Sequence, residues 1–169
     1  MTRRLVGVLR ARLPELGLEQ VKDPRRKHGR RWSLPSLLTS VLVGVVCGRK
    51  SLAETESLTG SLTRAMRRLL KVPRRVPDTT ARDALVQVEP DELREVVRRQ
   101  CRAAWRRKAL KPQGLPCGVV SIDGKGTATP FTEGRFVQKQ GESYGVVRTL
   151  GSALISSEAT VCLDAEPIP

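Results

Sequence analysis

The run Val119-Val120-Ser121-Ile122-Asp123-Gly124-Lys125 decides how this chain is read, because a helical, basic sequence gives way there to a stranded one. Val119, Val120 and Ile122 suit a buried strand, and Gly124 permits a sharp turn after it. Such a strand ends on Asp123 and holds one carboxylate at the tip of a rigid element, where a divalent cation can be gripped. Asp-Gly after an apolar run is also a common strand-to-turn signal with no chemistry attached. Two-metal phosphoryl transfer needs several carboxylates, because cations about 4 Å apart must activate the attacking oxygen and stabilise the leaving one. One Asp cannot hold both. Glu133, Glu142, Glu158, Asp164 and Glu166 follow it, but none sits on a strong strand or helix motif. Spacing alone leaves Asp123 open between a turn residue and a metal ligand.

Upstream of this run the chain is strongly basic. Of the 169 residues, which carry a formal charge of +14, residues 1–112 hold 27 Lys or Arg against 11 Asp or Glu. Residues 113–169 hold 4 against 6, so the excess lies wholly in the first part. A block of that kind fits a polyanion partner, with Arg-rich solvated helix faces as the plainer alternative. Length and charge together predict two regions, 1–112 and 113–169, joined by the linker around Pro112, Gly114 and Pro116.

Several function classes find no support. Cys47, Cys101, Cys117 and Cys162 form no Cys-x-x-Cys pair, and His28 is the only histidine, which argues against zinc and against a Cys/His nucleophile. There is no phosphate-binding Gly loop and no nucleophile elbow. Scattered cysteines without an export segment predict a cytoplasmic location, and a polyanion partner such as DNA makes the expectation nucleoid-associated. The most apolar stretch, Leu34 to Cys47, falls short of the ~20 residues that cross a bilayer. It reads as a buried helix, not a membrane span.

The remaining elements follow from local signals. Residues 3–13 suit a short helix broken by Pro14. Ser33 is a natural N-cap with Pro35 in the first turn, and Gly48 closes that helix. Ser51 and Glu54 have capping-box spacing. Leu62, Ala65, Met66, Leu69 and Leu70 make one helical stripe, with Arg64, Arg67, Arg68 and Lys71 outside it. Pro73 and Pro77 bracket a loop with Arg74 and Arg75, and Asp78 or Thr79 then caps a helix to about Val88. Pro90 opens the longest helix, to about Leu110, with Leu93, Val96, Val97, Cys101, Ala104 and Trp105 as its core stripe. Strands are expected near 117–123, 144–150 and 159–163.

Arg25, Arg26, Lys27, Arg30 and Arg31 form the densest basic cluster, in a loop that Gly29 lets follow a phosphate backbone. They are the candidate DNA-binding residues, together with Lys125, which is otherwise a solvated turn lysine. His28 reads as part of the loop. Trp32 and Trp105 read as core, because aromatic residues are too scarce for a base-stacking platform.

Taken in order, Asp23-Pro24-Arg25-Arg26, Gly29-Arg30-Arg31, the apolar helix with Gly48 and Ser51, Pro77-Asp78-Thr79-Thr80 with Arg82, and Val120-Ser121-Ile122-Asp123-Gly124-Lys125 form a pattern. It resembles the N-terminal part of DDE-type insertion-sequence transposases, in the group of H-repeat-associated proteins. The resemblance spans roughly residues 20–125 and weakly the tail. It implies a mainly α N-terminal region followed by an incomplete ribonuclease-H-like α/β domain, of which only the opening strands are present. It also implies that Asp123 is the first of three acids that bind Mg2+ for catalysis, the other two lying beyond this sequence. The expected function is thus DNA transposition of an insertion sequence, by a truncated copy inactive alone. Expected partners are the DNA of transposon ends and a full-length transposase or downstream-encoded fragment. The alternatives are a non-catalytic DNA-binding module that represses or competes with such a transposase, and a functionless remnant. Three strands without covering helices also predict a poorly packed tail unless another polypeptide completes it.

Overall fold

The structure is a computed structural model that describes residues 7–8, 11–26, 28, 30–130, 134–158 and 160–168. Most of the helix expected over 3–13 lies outside these residues, as do Lys27, Gly29 and Glu133. Two compact units divide between Val96 and Val97, upstream of the Pro112–Pro116 linker. The first is helical and the second carries a small antiparallel sheet, the order that the sequence predicts.

In the first unit, short 3-10 turns at Pro14–Leu16 and Leu18–Gln20 lead to α1, Leu34–Val46. The Ser33 hydroxyl accepts the Ser36 N–H at 3.4 Å, as the cap reading expects. Gly48, at φ +71°, turns the chain away where an L side chain would be strained. Leu34, Leu37, Leu38 and Val43 are buried, and each large side chain so covered contributes about 2 kcal/mol before its entropy cost. Ser36, Thr39 and Ser40 are buried as well. The Ser40 hydroxyl donates to the Ser36 carbonyl (2.7 Å), and that of Ser36 to the Lys71 carbonyl (2.6 Å). The hydroxyls of Ser36 and Ser40 are thus satisfied inside the core.

Around α1 pack α2 (Leu52–Ser61), α3 (Arg64–Leu70) and α4 (Asp78–Gln87). Ser51 accepts the Glu54 N–H at 3.2 Å, and the Glu54 carboxylate reaches back to the Lys50 N–H at 3.1 Å, closing the expected box one residue early. Thr63 caps α3, and Lys71 ends it in the left-handed region at φ +53°. Neither Asp78 nor Thr79 sits at the cap position of α4. Pro77 occupies it and has no capping group, so Glu56 from α2 accepts the Asp78 N–H instead, at 3.1 Å. Leu70, Val72, Val76, Ala81, Ala84 and Val88 complete the core with Val96.

Helix α5, Pro90–Arg106, stops short of the expected Leu110, because Lys108 at φ +59° turns the chain. Its core stripe is realised only in part. Leu93 and Val96 join the helical core, whereas Val97 is 39 % and Trp105 57 % exposed.

The second unit holds β1 (Val120–Pro130), β2 (Gln138–Lys139), β3 (Tyr144–Leu154) and β4 (Val161–Ile168), all antiparallel. Strand β3 is central, with β1 on one side and β2 and β4 pairing along the other. The expected turn at Gly124 does not occur. Asp123, Gly124 and Lys125 pair in register with Gly151, Leu150 and Thr149, so β1 runs on through them. A glycine permits a turn but cannot impose one against an uninterrupted ladder. Ile122 is 69 % exposed, with Val120, Leu150 and Ile168 also open to solvent, so the sheet is thinly covered.

Candidate nucleic-acid interface

The basic loop before α1 is built around one buried arginine. Arg25 is 6 % exposed, and its guanidinium donates to Asp23 through Nε (2.9 Å to Oδ1) and Nη2 (2.9 Å to Oδ2). Nη2 also donates to the Trp32 carbonyl at 2.8 Å. These bonds hold the Asp23 carboxyl below the usual carboxylate range, against the opposing pull of burial. Arg30 closes the loop by donating to the Arg25 carbonyl (2.8 Å) and the Asp23 carbonyl (3.1 Å). Charge pattern placed Arg25 among the phosphate contacts; the structure places it inward, as the loop's anchor.

The anchored loop presents its other cations. Arg26, Arg30 and Arg31 are exposed, as is His28. Arg31 and Arg74 both lie over the Trp32 ring, 5.1 and 4.5 Å from its centroid. Arg74 also donates to the Arg31 carbonyl (3.0 Å), and the Trp32 indole N–H to the Arg75 carbonyl (3.3 Å). Two loops distant in sequence are thus stitched together through one half-buried tryptophan. Beside it opens a cleft of about 490 Å³ lined by Arg26, His28, Arg31, Trp32, Thr80 and Asp83, among others. Arg74 was not among the sequence-derived candidates, although the proline-bracketed Arg74-Arg75 loop was its visible signal.

Asp123 and Lys125 lie elsewhere, on β1 of the second unit, both exposed. No hydrogen bond or ion pair engages the Asp123 carboxylate among the described residues. Among the described residues none of the acids downstream is gathered with it, and Asp164 is paired with Arg98 at 2.7 Å. Among the described residues no three of His, Cys, Asp and Glu are gathered as a metal ion requires. The described residues around Asp123 do not by themselves fit a Mg2+ site. No helix among the described residues is long and apolar enough to cross a membrane.

A protein-family model described as DDE_Tnp_1-associated matches residues 17–100. Over that segment the chain is similar to the DDE_Tnp_1-associated family. Its link to DDE-type transposases agrees with the resemblance carried by the ordered motifs. No curated protein and no solved structure matches the chain. The DDE_Tnp_1-associated segment takes in the anchored loop, the Trp32 stack and helices α1 to α4 entire, whereas Asp123 lies beyond it.

Proposed function

We propose that this is a transposase-lineage protein whose helical unit binds DNA, the natural target being transposon ends. The observation that carries this reading is the Arg31–Trp32–Arg74 stack inside the DDE_Tnp_1-associated segment, with exposed Arg26 beside it. Arg25 and Asp23 fix the loop, so its cations are presented without ordering a floppy segment at binding. Guanidinium groups so held suit phosphate oxygens, which set position and not sequence.

The second unit is the opening of a ribonuclease-H-like catalytic domain in this reading, with Asp123 its first acid. A lone Asp on an exposed strand assembles no metal site, so no catalytic step is assigned to this chain. Further carboxylates must come from another segment or polypeptide. The same isolation of Asp123 favours a second reading, a non-catalytic module that competes with a full-length transposase for its ends. Either role belongs beside the nucleoid.

Fluorescence anisotropy of the full chain with double-stranded DNA tests the proposal. Binding is expected to weaken steeply as salt rises, by about 0.9 log units per log unit of salt for each phosphate contacted. Arg26→Ala/Arg31→Ala is expected to weaken binding and flatten that slope. Absence of binding at low salt overturns the proposal.

A further inference from the structure

A second basic groove in the helical unit lies between the start of α1, with Ser33 and Ser36, and α3, with Arg64, Arg67, Arg68 and Lys71. Its volume is about 570 Å³, and no carboxylate lines it, whereas Asp83 lines the cleft beside Trp32. Helices in this chain pair their arginines where acids are at hand: Arg12 with Glu15 and Arg94 with Asp91, both three residues apart. Arg64, Arg68 and Lys71 have no ion-pair partner among the described residues. Like charges three and four apart on a helix oppose its stability, so something must offset them for the row to persist in use.

The groove is also rigid. Arg67 donates to the carbonyls of Gly60 (2.9 Å) and Leu62 (3.0 Å), which fixes its charge at the groove wall. The Ser36 hydroxyl donates to the Lys71 carbonyl at 2.6 Å, tying α1 to the end of α3. Residues 64, 67, 68 and 71 recur at the spacing of one helical face over roughly 10 Å of axis, about three phosphate steps measured along the duplex axis.

We infer that this groove is a second phosphate-binding track for the backbone of double-stranded DNA, recruiting Arg64, Arg68 and Lys71 as contacts. The track rests on the DNA-binding reading of the helical unit but not on the Trp32 cleft. It extends that footprint: Ser33 follows Trp32 in the chain, and Arg74 lies three residues after Lys71.

The test is fluorescence anisotropy of the full chain with two duplexes of unrelated sequence, over a series of salt concentrations. Arg64→Ala/Arg68→Ala is expected to weaken binding equally on both duplexes and to make the salt slope shallower by about two. Lys71→Asn, which keeps a residue tolerant of left-handed backbone, is expected to lower the slope by about one and covers the case that the double variant misfolds. If Arg64→Ala/Arg68→Ala binds like wild type while Arg26→Ala/Arg31→Ala is impaired, the track is overturned and the cleft stands. The reverse result upholds the track and overturns the cleft. Unchanged DNA binding with lost binding of poly-glutamate overturns the track in favour of an acidic protein partner. No binding by wild type at low salt overturns both.

Discussion

Arg25 and Asp23, two residues apart, meet in a two-point ion pair with both contacts at 2.9 Å, and Arg25 is all but sealed from solvent. A pair so placed stabilises less than its geometry suggests, since both charges were desolvated to make it. Its removal from one side is another matter, because it strands the other charge.

Asp23→Asn is therefore expected to destabilise the helical unit by about 2 kcal/mol, less than a fully buried pair because Asp23 keeps a side-chain exposure of 19 %. Because the Asp23 carboxyl is depressed in the folded state, its contribution is present above the ordinary carboxylate pKa near 4. It is lost as pH falls through the lower, folded value. Urea midpoints of wild type should thus fall below about pH 4, and Asp23→Asn should show less of that fall. Equal acid sensitivity in the two proteins would sink the assignment.

Gly44→Ala is expected to destabilise the protein by about 1 kcal/mol, although alanine is the better helix former. The added Cβ overlaps Thr55 Oγ1 on α2 and sits 3.1 Å from its Cγ2. Thr55 is buried, and its hydroxyl is tied to the Ser51 carbonyl at 3.1 Å, so it has little freedom to yield. Thr55→Ala in the Gly44→Ala background should recover part of the loss in chemical denaturation. A single variant more stable than wild type shows that the helices can separate cheaply.

Thr59→Val is expected to cost about 2 kcal/mol. The Thr59 hydroxyl donates to the Glu56 carbonyl (2.9 Å) and accepts the Val76 N–H (3.0 Å), in a site where the residue is 1 % exposed. Valine fills the space but leaves that N–H unpaired. Thermal unfolding of the variant measures the loss, and an unchanged midpoint refutes it.

Amide exchange should be faster across Val120–Pro130 than across Leu34–Val46. Strand β1 has a partner on one side only, and its Ile122 side chain is open to water, while α1 is enclosed by four neighbouring elements. Protection in β1 equal to that in α1 would contradict the thin covering of the sheet.

Asp123→Ala should leave stability within about 0.5 kcal/mol and leave DNA affinity unchanged, since no partner holds the carboxylate among the described residues. Mg2+-dependent nicking by wild type that vanishes in this variant would overturn the view that the chain does not cut DNA alone.

What could be read in the sequence were the features whose causes are local. Ser33 and Ser51 cap the next turn, so their roles follow from neighbours within a few residues. The inward turn of Arg25 had no such signal: Arg25 and Arg26 are the same letter, and only the position of Asp23 and the Trp32 carbonyl separates them. Gly124 failed as a turn marker because its fate depends on β3, some 26 residues on. Trp32 was expected as core on scarcity alone; it packs half-buried against the helical core, and what the sequence did not show is that two guanidinium groups from separate loops lie over its ring.

The link from Glu56 to Asp78 has a bearing on how the helical unit assembles. Pro77 leaves α4 without a cap from its own N-cap residue, and the carboxylate that substitutes comes from α2, 22 residues earlier, steered by Arg75 at 2.7 Å. Helix α4 is therefore a dependent element. A synthetic peptide of residues 74–89 should stay largely unstructured in water, and the segment should order only after α2 has docked. The start of α4 is completed only in the folded unit, by a carboxylate borrowed from another helix.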